Sequence, residues 1–389
     1  MLDSPTYRAS EQLAKSLLPH WRFGQVHNLD VFERIGFPVR IASIRELGPL
    51  LDSMQENRFD AYMRELDGLS DDEYNLLLEA CKDSLRFQLR MFPQRPPVAP
   101  LSTMMSVITL YKKMLGFKPD FRTVLEIGPG CGYLSFLLKH HRSLENYSQI
   151  EACESYYILQ NLVNVHCFDT RVDERVFIPP TIRVSDFLIA NEVQSSELPN
   201  PVNLRREPPL CTHYPWWRIG ELISDERRFE IVTSNANLLE FSPAALEDYL
   251  TLVSNVLEPG GIFLIQCMGY HEHGNLETLL EKVWSRKFVP LLYAVENRPM
   301  RFPGAASAAT VSERIAGKAA HDVVFPVNNG LLIRPGHPLY ERYRQGESRG
   351  LHFIANEPVV DAMYFRRPPH RRHYTMDDVI SAIESSLVL

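Results

Sequence analysis

Nine consecutive residues, Val124-Leu125-Glu126-Ile127-Gly128-Pro129-Gly130-Cys131-Gly132, constrain this chain more than any others. An apolar run of strand length passes an acidic residue, Glu126, and enters a turn with glycine at every second position. Glycine lets the backbone take conformations closed to other residues and approach a ligand closely. A strand ending in such a turn puts it at the carboxyl edge of a parallel sheet, where α/β proteins bind ligands. A dinucleotide fingerprint would need glycine at position 133; Tyr133 stands there, which disfavours NAD. No Gly-Lys-Ser/Thr follows, so a phosphate loop is excluded.

The surrounding chain repeats the strand-then-helix pattern from about residue 120 to 300, the signature of a parallel sheet with crossover helices. A second strand is expected over Tyr147 to Ala152, followed by a helix from Tyr156 to Val165. A third unit begins with Phe229-Glu230-Ile231-Val232-Thr233 and continues into a helix with Ser242 as N-cap and Pro243 at its first position. Pro259-Gly260-Gly261 stops that helix, and Ile262-Phe263-Leu264-Ile265 is the continuous apolar run of a strand covered on both faces. Later come a strand at Gly330 to Ile333 and a closing helix from Thr375 with Asp377 and Asp378 in its first turn.

Residues 1–118 read as helical. Ser70 and Glu73 form a capping box, with Tyr74, Leu77, Leu78, Cys81 and Leu85 at helical spacing behind them. A second helix is expected after Pro100. This prefix serves as a substrate lid or a dimerisation element, and a homodimer is the assembly it admits. Residues 119–389 form the second unit, with a Pro- and Asn-rich insertion at about 166–208 that is too long for an ordinary connection and is expected to cover the site.

The chain has 389 residues, 45% of them hydrophobic and 23% charged, as in ordinary globular proteins. Its net charge of −7 argues against nucleic acid as a partner. The basic run Arg366 to His373 reads as a solvated surface loop. Six cysteines lack CxxC or other short spacings and read as reduced thiols. The N-terminus carries no basic region followed by an apolar run, and no stretch reaches the roughly 18 apolar residues of a membrane span, so a cytoplasmic location without membrane contact is expected.

The glycine segment resembles the first motif of class I S-adenosylmethionine-dependent methyltransferases: an apolar strand, Glu or Asp, one residue, then Gly-x-Gly-x-Gly. The resemblance extends in order through about residues 102 to 268. It implies a Rossmann-like, seven-stranded, mostly parallel α/β sheet and S-adenosylmethionine as cofactor, held by Glu126, Gly128, Pro129, Gly130 and Gly132. It also implies an acidic ribose ligand at the end of the second strand, Glu151 or, three residues later, Glu154. Asn235 and Glu240 are placed at the carboxyl edge facing the cofactor, and Trp216 near the adenine pocket, where the family's aspartate is missing and core packing of the aromatic pair is the alternative. His213-Tyr214-Pro215-Trp216-Trp217 and Asn235 to Ser242 are similar to a group of sugar O-methyltransferases, implying a small-molecule or glycan acceptor.

A sugar hydroxyl needs a general base, and His271 and His273 follow the fifth strand, with Glu240 as a further catalytic candidate. His271-Glu272-His273 together with Glu240 could instead hold a divalent metal, but no third separated ligand is visible, so no metal is assigned. Two alternatives stay open: a non-catalytic S-adenosylmethionine-binding module, and a methyltransferase acting on a non-sugar natural product.

Overall fold

The computed structural model describes residues 2–17, 38–53, 58–66, 68–177, 208–224, 227–235, 237–238, 241–266, 276–296, 327–341 and 370–386. Among these residues the strands are β1 (Thr123–Ile127), β2 (Asn146–Glu151), β3 (Val172–Glu174), β4 (Cys211–Pro215), β5 (Phe229–Asn235), β6 (Leu257–Gln266), β7 (Val289–Glu296) and β8 (Val327–Ile333). They form one sheet in the order β3-β4-β2-β1-β5-β6-β8-β7. Strands β1 to β6 run parallel, and β8 is antiparallel to both β6 and β7. This is the expected Rossmann-like sheet of seven strands, with the three-residue β3 added at one edge. The chain moves outward in one direction through β2 and β4 and in the other through β5 and β6. The switch point therefore lies between β1 and β5, where open α/β sheets take their ligands.

Strand alternation divides the core. Val124, Tyr147, Ile231, Ile262 and Leu264 are buried on one face, and Leu125, Ile150, Val232, Phe263 and Ile265 on the other. Helix α1 (Ser4–Leu17) opens the described chain, followed by α2 (Gly48–Ser53), α3 (Phe59–Glu65), α4 (Asp71–Met91) and α5 (Leu101–Phe117). The capping box at Ser70 and Glu73 is present in full at the start of α4. After β1 come α6 (Leu134–Leu138), α7 (Glu154–Phe168), α8 (Ile219–Ser224), α9 (Pro243–Val256), α10 (Leu276–Ser285) and α11 (Met376–Ser386). Ser242 caps α9 by accepting from the Ala245 amide, with Pro243 at its first position. The Pro-Gly-Gly segment is a bulge within β6, because the register with β5 shifts between Phe229 and Ile231.

Residues 166–174 of the expected insertion complete α7 and form β3, while 178–207 lie outside the described residues. The end of the basic run is structural: Arg371 donates to the Gly68 carbonyl (2.6 Å) and to Glu73 Oε2 (2.6 Å). Arg372 pairs in a β-bridge with Leu69, and Tyr374 stacks on Tyr74 with ring centroids 3.9 Å apart. The C-terminal segment thus closes onto α4 and the helical prefix. Cys81, Cys131, Cys153, Cys167 and Cys211 are free thiols. No helix among the described residues is long and apolar enough to cross a membrane.

Candidate functional site

The glycine turn is drawn up against the carboxyl ends of its neighbouring strands. Gly128, Gly130 and Gly132 all have positive φ (64°, 57° and 74°). The Gly128 amide donates to Ile150 O at the end of β2 (2.9 Å), and from the β5 side Asn237 Nδ2 donates to Ile127 O (2.5 Å) and Gly128 O (3.1 Å). Ser234 in turn donates to Asn237 Oδ1, so the first glycine is held from both flanking strands.

A cleft opens beside this turn, lined by Glu126, Gly128, Pro129, Gly130, Cys131, Tyr133, Leu134 and Asn235 and roofed by Thr103, Ser106 and Val107 of α5. The roof is fixed at its far end. Lys113 Nζ donates to Gln266 Oε1 (2.9 Å), and Gln266 Nε2 donates to Ser106 O (2.8 Å) and Oγ (3.0 Å). Asn235 is the last residue of β5, two residues beyond the expected strand end, and its amide reaches Ser106 Oγ at 3.5 Å.

Glu126 is buried on the cleft floor. Burial pushes its carboxyl up to about 7, against a hydrogen bond from Tyr147 that favours the ionised form. Behind it, Gln149 Nε2 donates to Tyr147 Oη (2.6 Å), Asn164 Nδ2 to Gln149 Oε1 (2.5 Å) and Ser135 Oγ to Asn164 Oδ1 (2.9 Å). A buried polar chain thus leads from the cleft floor into α7 and α6.

Glu151 ends β2, and its Oε1 accepts from the amides of Ala152 (2.7 Å) and Cys153 (2.9 Å). Its Oε2 accepts from Gln160 Nε2 (2.9 Å). Burial raises this carboxyl above its ordinary range, and these three hydrogen bonds oppose the rise. Glu154 is committed elsewhere. Its buried carboxylate takes Arg8 Nε (2.9 Å), Arg40 Nη1 (2.7 Å) and Ser4 Oγ (2.6 Å), tying α1 to the first turn of α7. Burial alone would raise Glu154, but these partners outweigh it and hold the carboxyl below its ordinary value.

Arg8 and Arg40 remain 45% and 31% exposed, so water can solvate them once Glu154 is removed. Glu154→Ala is therefore expected to cost about 2 kcal/mol, below the range for a fully buried pair. Hydrogen exchange should show α1 opening ahead of β1 and β2; unchanged protection across residues 4–17 would refute this role.

Trp216 is buried away from the cleft lining. Its Nε1 points to Glu11 Oε1 of α1 (3.4 Å), and its ring meets Trp217 edge-on at 5.5 Å. Tyr7 packs on Trp217 in turn (5.0 Å). Glu240, His271 and His273 lie outside the described residues. Within them, the structure brings Glu126, Gly128, Pro129, Gly130 and Asn235 around one cleft, with Gly132 closing the turn and Glu151 on the adjoining strand end.

No protein-family model matches the chain, and no curated protein is significantly similar to it. Solved structures resemble it loosely. The cyclase SpnF is 16% identical, with 60% of this chain covering 82% of that one at a TM-score of 0.36. Geranyl diphosphate methyltransferase in complex with SAM is 10% identical, with 61% covering 88% at 0.37. Phosphoethanolamine N-methyltransferase 2 of Haemonchus contortus, in complex with S-adenosyl-L-methionine, is 14% identical, and 58% of this chain spans about half (52%) of that one at 0.36. The fold is read from the sheet order, not from these likenesses.

Proposed function

We propose that this chain is an S-adenosylmethionine-dependent methyltransferase acting on a small-molecule or glycan acceptor, with a sugar hydroxyl as the group methylated. The observation that supports it most is the cleft at the β1/β5 switch point, where the glycine turn, Glu126 and Asn235 converge. The donor set fits the cofactor. A buried carboxyl suits an ammonium group, a turn with glycine at every second position lets a ligand approach the main chain, and Glu151 at the adjoining strand end suits a ribose diol.

When bound, the cofactor supplies a methyl already activated on a sulfonium, so the protein has mainly to orient and dehydrate. Gly128, Pro129, Gly130 and Gly132 would hold it, with Glu126 and Asn235 facing it and Glu151 at the ribose, while Trp216, packed against α1, would support the pocket from behind. Ser106 and Thr103 of α5 close the cleft from above and limit water. His271 or His273 takes the proton from the acceptor hydroxyl, with Glu240 as a further catalytic candidate.

Calorimetric titration tests the cofactor. The wild-type chain is expected to bind S-adenosylmethionine and S-adenosylhomocysteine saturably, and Gly130→Arg, which fills the cleft, to weaken both by about 100-fold or more. Absence of binding by folded wild-type protein would sink the reading. With binding established, methyl transfer to a panel of sugars, set against non-sugar hydroxyl compounds, tests the acceptor.

A further inference from the structure

We propose that Gln160 is a positioning residue of the cofactor cleft: its amide ties the Gly130 carbonyl to the Glu151 carboxylate, and His213 and Glu174 dictate its orientation. The inference rests on the cofactor reading above and adds to it residues that lie behind the cleft.

Gln160 is fully buried on α7. Its Nε2 donates to Gly130 O (2.6 Å) and to Glu151 Oε2 (2.9 Å). Both partners are acceptors, so only the NH2 end of the amide can face them. The oxygen, Oε1, must then face His213 Nε2, 3.0 Å away, and that ring nitrogen must carry hydrogen. On the other side of the ring, Nδ1 lies 2.9 Å from Glu174 Oε2. Glu174 also receives Tyr157 Oη, Asn161 Nδ2 (2.8 Å) and the Val176 amide (3.0 Å). These contacts fix the carboxylate against the His213 ring and so fix the ring itself. The ring lies flat against Tyr157, with centroids 3.8 Å apart and planes 14° from parallel, which fixes its plane.

The consequence lies at the cleft. The glycine turn and the acid at the end of β2 are the two elements a bound nucleoside has to span, and one NH2 group joins the Gly130 carbonyl to the Glu151 side chain beside the main-chain bond from Gly128 to Ile150. Glu151 Oε1 is already committed to two backbone amides, so Oε2, held by Gln160, keeps the free acceptor capacity for a ligand hydroxyl. Truncating Gln160 frees that oxygen to turn away without touching the groove itself.

The test uses the full chain with Gln160→Met, which keeps the length and most of the volume but neither donates nor accepts. S-adenosylhomocysteine and its 2′-deoxyribose analogue are titrated into both proteins. Wild type is expected to prefer the ribose form, and the variant to lose about 10- to 100-fold in affinity for it while its preference over the deoxy form collapses. Equal losses for both ligands would reflect a merely structural role and overturn the proposal, as would unchanged affinities.

If the variant fails to fold, nitrogen-15 spectra of His213 in the wild-type chain decide. Hydrogen on Nε2 supports the arrangement, and a bare Nε2 overturns it, since the Gln160 amide would then be reversed. Absence of binding by folded wild type overturns the cofactor reading instead, an outcome distinct from binding that ignores Gln160.

Discussion

Gly128→Ala is expected to lower the unfolding free energy by about 3 kcal/mol and to abolish cofactor binding. Two effects add. At φ 64° a Cβ is held against the following carbonyl, which costs an L-residue roughly 1–2 kcal/mol. The new methyl would also sit 2.2 Å from Asn237 Nδ2 and 3.0 Å from its Cγ, so Asn237 has to leave. Its departure strands the carbonyls of Ile127 and Gly128, at a cost of about 1–3 kcal/mol for buried groups left unpaired. A double-mutant cycle separates the two. In an Asn237→Ala background the steric part vanishes, and Gly128→Ala should cost only the backbone strain, a coupling of about 1–2 kcal/mol in urea unfolding. Full additivity would show that Asn237 does not latch the turn.

The parts of this molecule legible in its sequence are those whose physics is local. The apolar run into Gly128, Gly130 and Gly132 defines β1 and its turn, and the caps at Ser70 and Ser242 mark helix starts that the structure reproduces. Asn235 was legible as a residue at the carboxyl edge. Its place on the strand was not, because Ser234 and Asn235 are drawn into β5 by pairing with Ile265 and Gln266.

What escaped depends on contacts far apart in the chain. Glu151 and Glu154 are alike in sequence, and only Arg8 and Arg40, more than a hundred residues upstream, divert Glu154 into docking α1. Thr103 and Ser106 reach the cleft because α5 crosses the end of β6, and no periodicity in Leu101 to Phe117 announces that crossing. Gln160 carries no motif, and the segment His213 to Trp217 says nothing of the contact His213 makes with it. The indole of Trp216 faces α1, a neighbour more than two hundred residues away.

Stability is expected to fall between about pH 4.5 and pH 7 by about 3 kcal/mol on account of Glu126 alone. Its carboxyl rises on folding from an ordinary 4.5 to about 7, chiefly because burial disfavours the charge. Below the lower value both states hold the proton and the contribution is complete. Between the two, the unfolded chain ionises while the folded one keeps its proton, so stability drains away as pH rises, and above about 7 the loss is complete. Glu154, Glu230 and Glu247, whose carboxyls are lowered on folding, act with the opposite slope, so the wild-type curve mixes both signs.

Glu126→Gln isolates this contribution. Glutamine keeps an acceptor for Tyr147 but never titrates, so urea unfolding of variant and wild type should diverge in the variant's favour by about 3 kcal/mol across that window. Parallel curves would place the charge elsewhere. The same proton links stability to the proposed function. A ligand ammonium set against Glu126 stabilises the carboxylate, so binding near pH 6 should expel up to about one proton, read as a dependence of the calorimetric enthalpy on the buffer's ionisation heat. Glu126→Gln should remove that dependence, and a wild-type enthalpy indifferent to buffer would mean that the ammonium of the cofactor is held away from this carboxyl.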